Sequence, residues 1–438
     1  MAYTKYSLTP SSNTAAPPDG APEGMLPSAV NDTMRDMMSQ IRDCGDGIRG
    51  GTYTMTAPVI TGGTITGVTD IAVADGGTGA STVAAAQTNL QVFNFKNRII
   101  NGDMRIDQRN AGASVTPASG DYVLDRWQCA LTQASKFTVQ QNAGSVTPPV
   151  GFINYLGVTS SSAYSIVSAD IFSFLQKIEG LNVSDLGYGT ANAKTVTVSF
   201  WVRSSLTGTF GGTLGNSAGN RSYPFTYTIS TANTWEQKSI TIAGDTTGTW
   251  LTTNGVGLRL NFGLGVGATY SGTAGAWAAG DLRSATGAVS VVGTSGATFY
   301  VTGVQLEVGS AASNFEVIDY GNQLLQCQRY FQKLGPNIGS TSSAAYATFG
   351  SGFGQSTTAA ACSVKYITTM RSNPTIVQSN TGLNTPSQLT VTGINFSSLG
   401  ADSAYVGVDV ASGLILYQGL IWCQNNNAAG FASFSAEL

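Results

Sequence analysis

Six residues in the middle of the chain, Trp201, Arg203, Arg259, Asn261, Tyr270 and Trp277, are of the types that grip a sugar ring. The C–H face of a pyranose is apolar and packs on indole or phenol rings, while guanidinium and amide groups hydrogen-bond its hydroxyls. In Lys194–Ser204 (KTVTVSFWVRS), Val196, Val198, Phe200 and Val202 alternate with Thr197, Ser199, Trp201 and Arg203. That period of two places Trp201 and Arg203 on the face away from a core. In Gly257–Gly265 the same alternation sets Arg259 and Asn261 against Leu258, Leu260, Phe262 and Leu264. Tyr270 and Trp277 follow in a Gly/Ala-rich insertion, the kind of loop that carries function. Trp201 also admits a second reading, packed beneath a loop or a neighbouring subunit. Trp127 and Trp235 read as structural, and Asp125 and Arg126 as partners of each other or of the chain that follows.

Catalytic constellations are not legible. The chain has no histidine, which removes Ser-His-Asp and Cys-His catalysis and the commonest transition-metal ligand. Its five cysteines (Cys44, Cys129, Cys327, Cys362, Cys423) have no ligand spacing and read as buried apolar residues of a protein assembled in a reducing cytoplasm. Asp125, Glu179, Asp185, Glu236, Asp245, Asp281, Glu307 and Asp319 are scattered, and no pattern sets two of them at a glycosidase separation. Gly263, Gly265 and Ala268 mimic a dinucleotide fingerprint but lack the βαβ unit it needs. The expectation is a non-enzyme with no metal and no cofactor.

These side chains must be held by strands. Only 10% of the 438 residues are charged and 54 are glycine, a balance that suits β-rich extracellular or virion proteins. A net charge of −3 gives no footprint for nucleic acid. No apolar run reaches 18 residues, so no membrane insertion is expected, and the first thirty residues lack a Sec-type signal pattern. Asn97–Arg109, with its Asn-Gly, predicts a hairpin. Phe225–Ile229, Gln237–Ile242 and Ala297–Leu306 read as further strands of a jelly-roll sandwich. A helix from Tyr320, with Leu324, Cys327, Phe331 and Leu334 on one face, ends at Gly335-Pro336 and leads into a smaller β-domain.

At the other end, residues 1–27 form a Pro-rich arm, and Ser28 is a plausible N-cap. Val30, Met34, Met37, Ile41, Cys44 and Ile48 then recur at spacings of four and three, the seam of a coiled coil, with the helix stopping near Gly45 and Gly47. The predicted helical part is about 17 residues, and its narrow seam suits self-association through Val30, Met34, Met37 and Ile41, the alternative being an amphipathic helix docked on another protein. Gly50–Ser81 is rich in Gly and Thr with thin apolar content; it reads as one strand of an intertwined multi-chain stem, the alternative being a flexible tether. A short helix is expected over Thr82–Leu90.

PPDGAPEGMLPSAVNDTMRDMMSQIRD resembles the virion-attaching segment of bacteriophage tail fibres, and ADGGTGASTVAAAQTNL resembles a fibre-shaft junction. NRIINGDMRIDQRN, YVLDRW, LQKIEGLNVSDLGYGTANAKTVTVSFWVRS, TWEQKSITI and ATFYVTGVQLEVGSAASNFE resemble carbohydrate-binding-module-like jelly rolls of phage tail proteins. YGNQLLQCQRYFQKL and VKYITTMRSNPTI resemble the segment that follows them. The resemblance implies a homotrimeric fibre, with Val30, Met34, Met37 and Ile41 as trimerisation residues and Gly50–Ser81 as a three-chain stem, fixed through its N-terminus to phage tail or adaptor proteins and presenting β-domains to host polysaccharide. It would be assembled in the bacterial cytoplasm and located in the virion. The expected organisation is a mainly β chain: an attachment arm and helix over 1–50, a stem over 51–95, a jelly roll over 96–319 and a C-terminal β-domain over 320–438. Two rival functions remain, a structural fibre or adaptor that reads no receptor, and a tailspike depolymerase.

Overall fold

Alternating apolar residues on long strands make a two-sheet sandwich the natural product of the middle of this chain. The computed structural model describes residues 26–49, 78, 86, 95–335, 347–385, 387–425 and 429–438. The chain divides into two units, Met1–Leu90 and Gln91–Leu438.

In the larger unit a seven-stranded sheet runs, edge to edge, β1 (Tyr122–Leu124), β2 (Trp127–Leu131), β5 (Ile171–Glu179), β10 (Val256–Val266), β7 (Gly208–Gly215), β8 (Arg221–Ile229) and β12 (Ala278–Ala279). Opposite it lies a five-stranded sheet of β3 (Phe137–Gln141), β4 (Leu156–Ser160), β14 (Thr298–Val308), β6 (Val196–Ser204) and β9 (Glu236–Ile242). Between β10 and β14 the chain makes an excursion that carries β12 and a parallel pair, β11 (Ser271–Gly272) with β13 (Ser284–Ala285). The two sheets close on one core. Phe174 and Phe262, partners on adjacent strands, stack at 5.1 Å, and Phe200 from the other sheet meets Phe262 edge-on at 5.0 Å. Trp127 is fully buried in the same core.

Asn97–Arg109 is not a hairpin. Asn101 adopts a left-handed φ of 57°, but its side chain bridges the turn by itself, accepting from Ile106 N at 2.9 Å and donating to Asp125 O at 3.0 Å. Gly102 is required because a Cβ there would stand 2.2 Å from Val304 O of β14. The Asn-Gly signal therefore marks a docking point against the sandwich, with Arg98 N donating to Leu306 O and Val304 N to Gly102 O.

Helix α2 (Tyr320–Gln328) begins where Asp319 accepts from Asn322 N, and it is shorter than the periodicity predicts. Phe331 and Leu334 belong instead to β15 (Phe331–Leu334), which pairs with β23 (Phe431–Ser435). β23 pairs on its other side with β18 (Thr375–Ser379). The C-terminal strands otherwise close into a barrel in the order β16 (Thr348–Gly354), β17 (Ala359–Lys365), β21 (Ser403–Val410), β20 (Gln388–Leu399), β19 (Thr381–Asn384) and β22 (Gly419–Gln424). Closure leaves no free edge in that sheet. Trp422 is fully buried in its core and meets Phe349 edge-on.

In the smaller unit, helix α1 (Pro27–Arg49) has 23 residues. Pro27 opens it, where a missing N–H costs nothing, and Val30 N already donates to Leu26 O. Ser28 thus lies in the first turn rather than at the cap. Gly45 and Gly47 weaken the helix without breaking its hydrogen-bond ladder, so it runs on to Arg49. Val30, Met34, Met37 and Ile41 are all exposed on it. Gly50–Ser81, apart from Thr78, and the expected helix over Thr82–Leu90, apart from Ala86, lie outside the described residues.

Candidate functional site

Loops at one end of the sandwich bring four aromatic rings together. Tyr223 extends the core-facing side of β8, and Trp277 precedes β12. Tyr188 lies on the loop before β6, and Trp250 on the loop after β9. Trp250 and Trp277 meet edge to face at 5.3 Å, Tyr188 meets Trp250 at 5.0 Å and Trp277 at 5.9 Å, and Tyr223 meets Trp277 at 5.4 Å. All four are half-buried, one side against the core and the other toward solvent. The indole N–H groups are already bonded, Trp250 Nε1 to Thr247 O at 2.9 Å and Trp277 Nε1 to Ala243 O at 2.7 Å. What the indoles have left to offer is ring surface.

Beside this quartet opens a cleft of about 150 Å³. Val183, Leu186, Tyr188, Trp250, Leu251 and Leu258 give it apolar walls, and Ser184, Thr190 and Thr252 supply hydroxyls. Gly187 and Gly189, at φ of 64° and 81°, bend the chain around Tyr188. The Tyr188 hydroxyl is buried with no hydrogen-bond partner, and burial, helped by the Asp245 charge, pushes its pKa well up. The phenol is therefore held neutral here.

Asp245 anchors the loop that carries Trp250. It takes a two-pronged ion pair from Arg221, at 2.6 and 2.8 Å, and bonds from Thr247 N and Oγ1. Burial alone would raise the Asp245 carboxyl, but these donors outweigh it and hold its pKa below the ordinary range. The aromatic wall is thus fixed by a charge that stays ionised at neutral pH.

The six residues singled out from the sequence do not converge. Trp277 is in the quartet. Trp201 and Arg203 lie on the outer face of the five-stranded sheet, whereas Arg259 and Asn261 lie on the outer face of the opposite sheet, so the sandwich separates the two pairs. Trp201 is half-buried near Phe152, both rings approaching Gly303. Arg203 donates to Asn233 O at 2.9 Å and sits over the Tyr300 ring at 5.4 Å. Alternation places Arg259 and Asn261 away from the core, but the excursion between β10 and β14 covers them, leaving 8% and 1% of their surface exposed. Tyr270, on that excursion, is half-buried and takes Arg283 N on its carbonyl at 2.7 Å. The sequence reading passed over Tyr188, Tyr223 and Trp250. The first and last do carry a signal, an aromatic held among glycines or threonines in GYGT and GTWL.

Among the described residues no group of His, Cys, Asp and Glu side chains is placed to hold a metal ion, and no helix is long and apolar enough to cross a membrane. Cys129, Cys327, Cys362 and Cys423 are buried free thiols, and burial pushes Cys362 up to about 12.

No family model and no curated protein matches the chain. Among solved structures it is similar to the enzymatically active domain of tailspike protein 4 from bacteriophage CBA120, at 12% identity and a TM-score of 0.27 over 49% of this chain and 21% of that one. It is also similar to a family 11 carbohydrate-binding module from Clostridium thermocellum, solved with a β-1,3-1,4-mixed-linked tetrasaccharide, at 11% identity and a TM-score of 0.23 over 46% of this chain and 98% of that one. A xylan-binding domain from Paenibacillus barcinonensis matches at 11% identity and a TM-score of 0.21 over 47% and 99%. This chain thus spans about a fifth of the tailspike chain and nearly all of each binding module. All three are distant likenesses.

Proposed function

We propose that this protein is a phage tail fibre that binds a host surface glycan, without cleaving it, in the cleft between Val183 and Leu258. The observation that carries the reading is the pairing of half-exposed Trp250, its N–H already bonded, with Tyr188 in one small, largely apolar cleft. Aromatic faces such as these suit the apolar C–H surface of a sugar. Ser184, Thr190 and Thr252 on the rim extend the polar contacts.

In this reading the exposed seam of α1 joins three chains, and the N-terminal arm fixes the trimer to phage tail or adaptor proteins in the virion. Three linked clefts raise a weak sugar affinity through effective concentration. The test is a glycan array on the purified protein, followed by calorimetry of the best ligand against Trp250→Ala. Binding that falls at least tenfold supports the cleft. Unchanged binding by a folded Trp250→Ala variant, or no binding to host glycan at all, overturns it.

A further inference from the structure

Sugar hydroxyls are usually read by carboxylates, amides and guanidiniums, which pair two hydrogen bonds at a time. Among the described residues that line the cleft beside the quartet, none is charged and none carries a side-chain amide. Val183, Leu186, Leu251 and Leu258 give alkyl walls, and Trp250 and Tyr188 give ring surface. Asp185, next in sequence to two lining residues, pairs instead with Arg98 at 2.8 Å and Lys194 at 3.7 Å. Thr190 already donates its hydroxyl to Gly187 O at 2.6 Å, and Ser184 donates to Leu181 O at 3.4 Å. A sugar hydroxyl pressed among these walls gives up water for few partners, whereas an apolar group gains by leaving water. The cleft holds about 150 Å³, the room of a benzene-sized group, so it takes one substituent rather than a run of rings. Its walls are tied together before any ligand arrives. Leu181 N donates to Thr253 O at 3.0 Å, Gly180 N to Gly255 O at 2.8 Å and Gly189 N to Asp245 O at 2.8 Å.

We propose that this cleft selects a methyl-bearing group of the glycan, either the acetyl of an acetylated sugar or the C6 methyl of a 6-deoxy sugar. The inference rests on the glycan reading and adds the substituent that is recognised. Leu251, 39% exposed, is the most open of the alkyl walls and the one a methyl meets first. Thr252, exposed at the rim, offers a hydroxyl to an acetyl carbonyl, while a C6 methyl asks for no donor. The hydroxyls of the same sugar stay at the mouth, in water.

The test is saturation-transfer NMR of the full chain with matched sugars, and dissociation constants from titration. N-acetylglucosamine is set against glucose, N-acetylgalactosamine against galactose, L-fucose against L-galactose, and L-rhamnose against L-mannose. At least one methyl-bearing sugar is expected to bind about tenfold more tightly than its counterpart, with the strongest saturation on its methyl protons. A preference within the first two pairs assigns the acetyl, and one within the last two assigns the C6 methyl. Leu251→Asn, which replaces the open alkyl wall, should cut the preference to about threefold or less. Equal binding within every pair, tighter binding of the hydroxyl members, or no binding of any of these sugars overturns the proposal. A preference that survives both Leu251→Asn and Trp250→Ala lies elsewhere on the chain and overturns it too. The matched pairs are compared on the unaltered protein, so a variant that fails to fold does not block the test. Equal binding within the pairs that is lost in Trp250→Ala keeps the glycan cleft and rejects the methyl; a host-glycan array without binding rejects both.

Discussion

Arg126 and Glu437 form a buried ion pair across 311 positions of sequence. The Arg126 guanidinium also lies 3.6 Å from the centre of the Tyr330 ring and donates to Lys177 O, while Glu437 accepts a second arginine, Arg109, at 2.9 Å. Tyr330 in turn donates to Glu179 on β5 at 2.6 Å, beside Arg329. The segment after the barrel is therefore clamped onto the outer face of the sandwich. Glu437→Ala leaves a nearly inaccessible guanidinium uncompensated and should cost about 3–5 kcal/mol, read as a lower urea midpoint. Arg126→Met combined with Glu437→Leu should recover most of the loss. An unchanged midpoint in the single variant would show that the pair does not brace the two parts.

Asp125 gives the chain a pH dependence with a definite sign. Burial pushes its carboxyl from 3.8 up to about 7, against the opposing pull of Arg109 and the two bonds from Gln108. A carboxyl whose folded pKa lies above its unfolded value supports the fold at low pH and withdraws that support as pH rises toward the folded pKa. Stability should therefore fall between pH 4 and 7, by on the order of 4 kcal/mol at most, at about 1.4 kcal/mol per pH decade. With no histidine in the sequence, few other side chains titrate between pH 5 and 8. Asp125→Asn should flatten a plot of melting temperature against pH over that window; a wild-type plot that is already flat would refute the assignment.

Tyr188→Phe separates binding from stability. Removing a buried hydroxyl that has no partner should leave the melting temperature unchanged or raise it, since nothing is unmade in the fold. Glycan affinity should stay within about twofold, since the aromatic ring is kept and no accessible hydrogen-bonding group is removed. A large fall in affinity would show instead that the hydroxyl reaches the ligand.

Met34→Asp with Ile41→Asp tests the helix seam. Both side chains are exposed, at 57% and 67%, so charging them breaks no packing within the chain. The melting of the sandwich and barrel should stay as it is, while sedimentation should show a smaller assembly. An unchanged mass would refute the seam as an assembly surface.

Alternation was the most legible signal. Val198, Phe200 and Val202 and then Leu258, Leu260 and Phe262 assigned the two core faces, because a strand has only two sides. It could not tell that the two outer faces look in opposite directions, since which sheet a strand joins depends on pairings such as β14 with β6 and β10 with β5. Nor could it show that a later excursion covers Arg259 and Asn261. The helix from Tyr320 was overextended because Phe331 and Leu334 fit a helical period, yet Leu334 pairs with Ala432, almost a hundred residues on. Tyr188 and Trp250 meet only through loops, where no periodicity operates. Their glycine and threonine neighbours were the one local trace.

The order of strands in the two sheets has a consequence for synthesis on the ribosome. β14 sits between β4 and β6, and β10 between β5 and β7, so the interior of each sheet is filled by a strand made after its neighbours. β4 and β6 emerge with a vacant lane between them that only residues 298–308 can fill. Until then Val158, Val198 and Phe200 face water along unpaired edges, and similar edges on sister chains lie close by on a polysome. Translation speed through residues 205–308, or a chaperone that shields those edges, should therefore govern the yield of folded protein more strongly than any step after release.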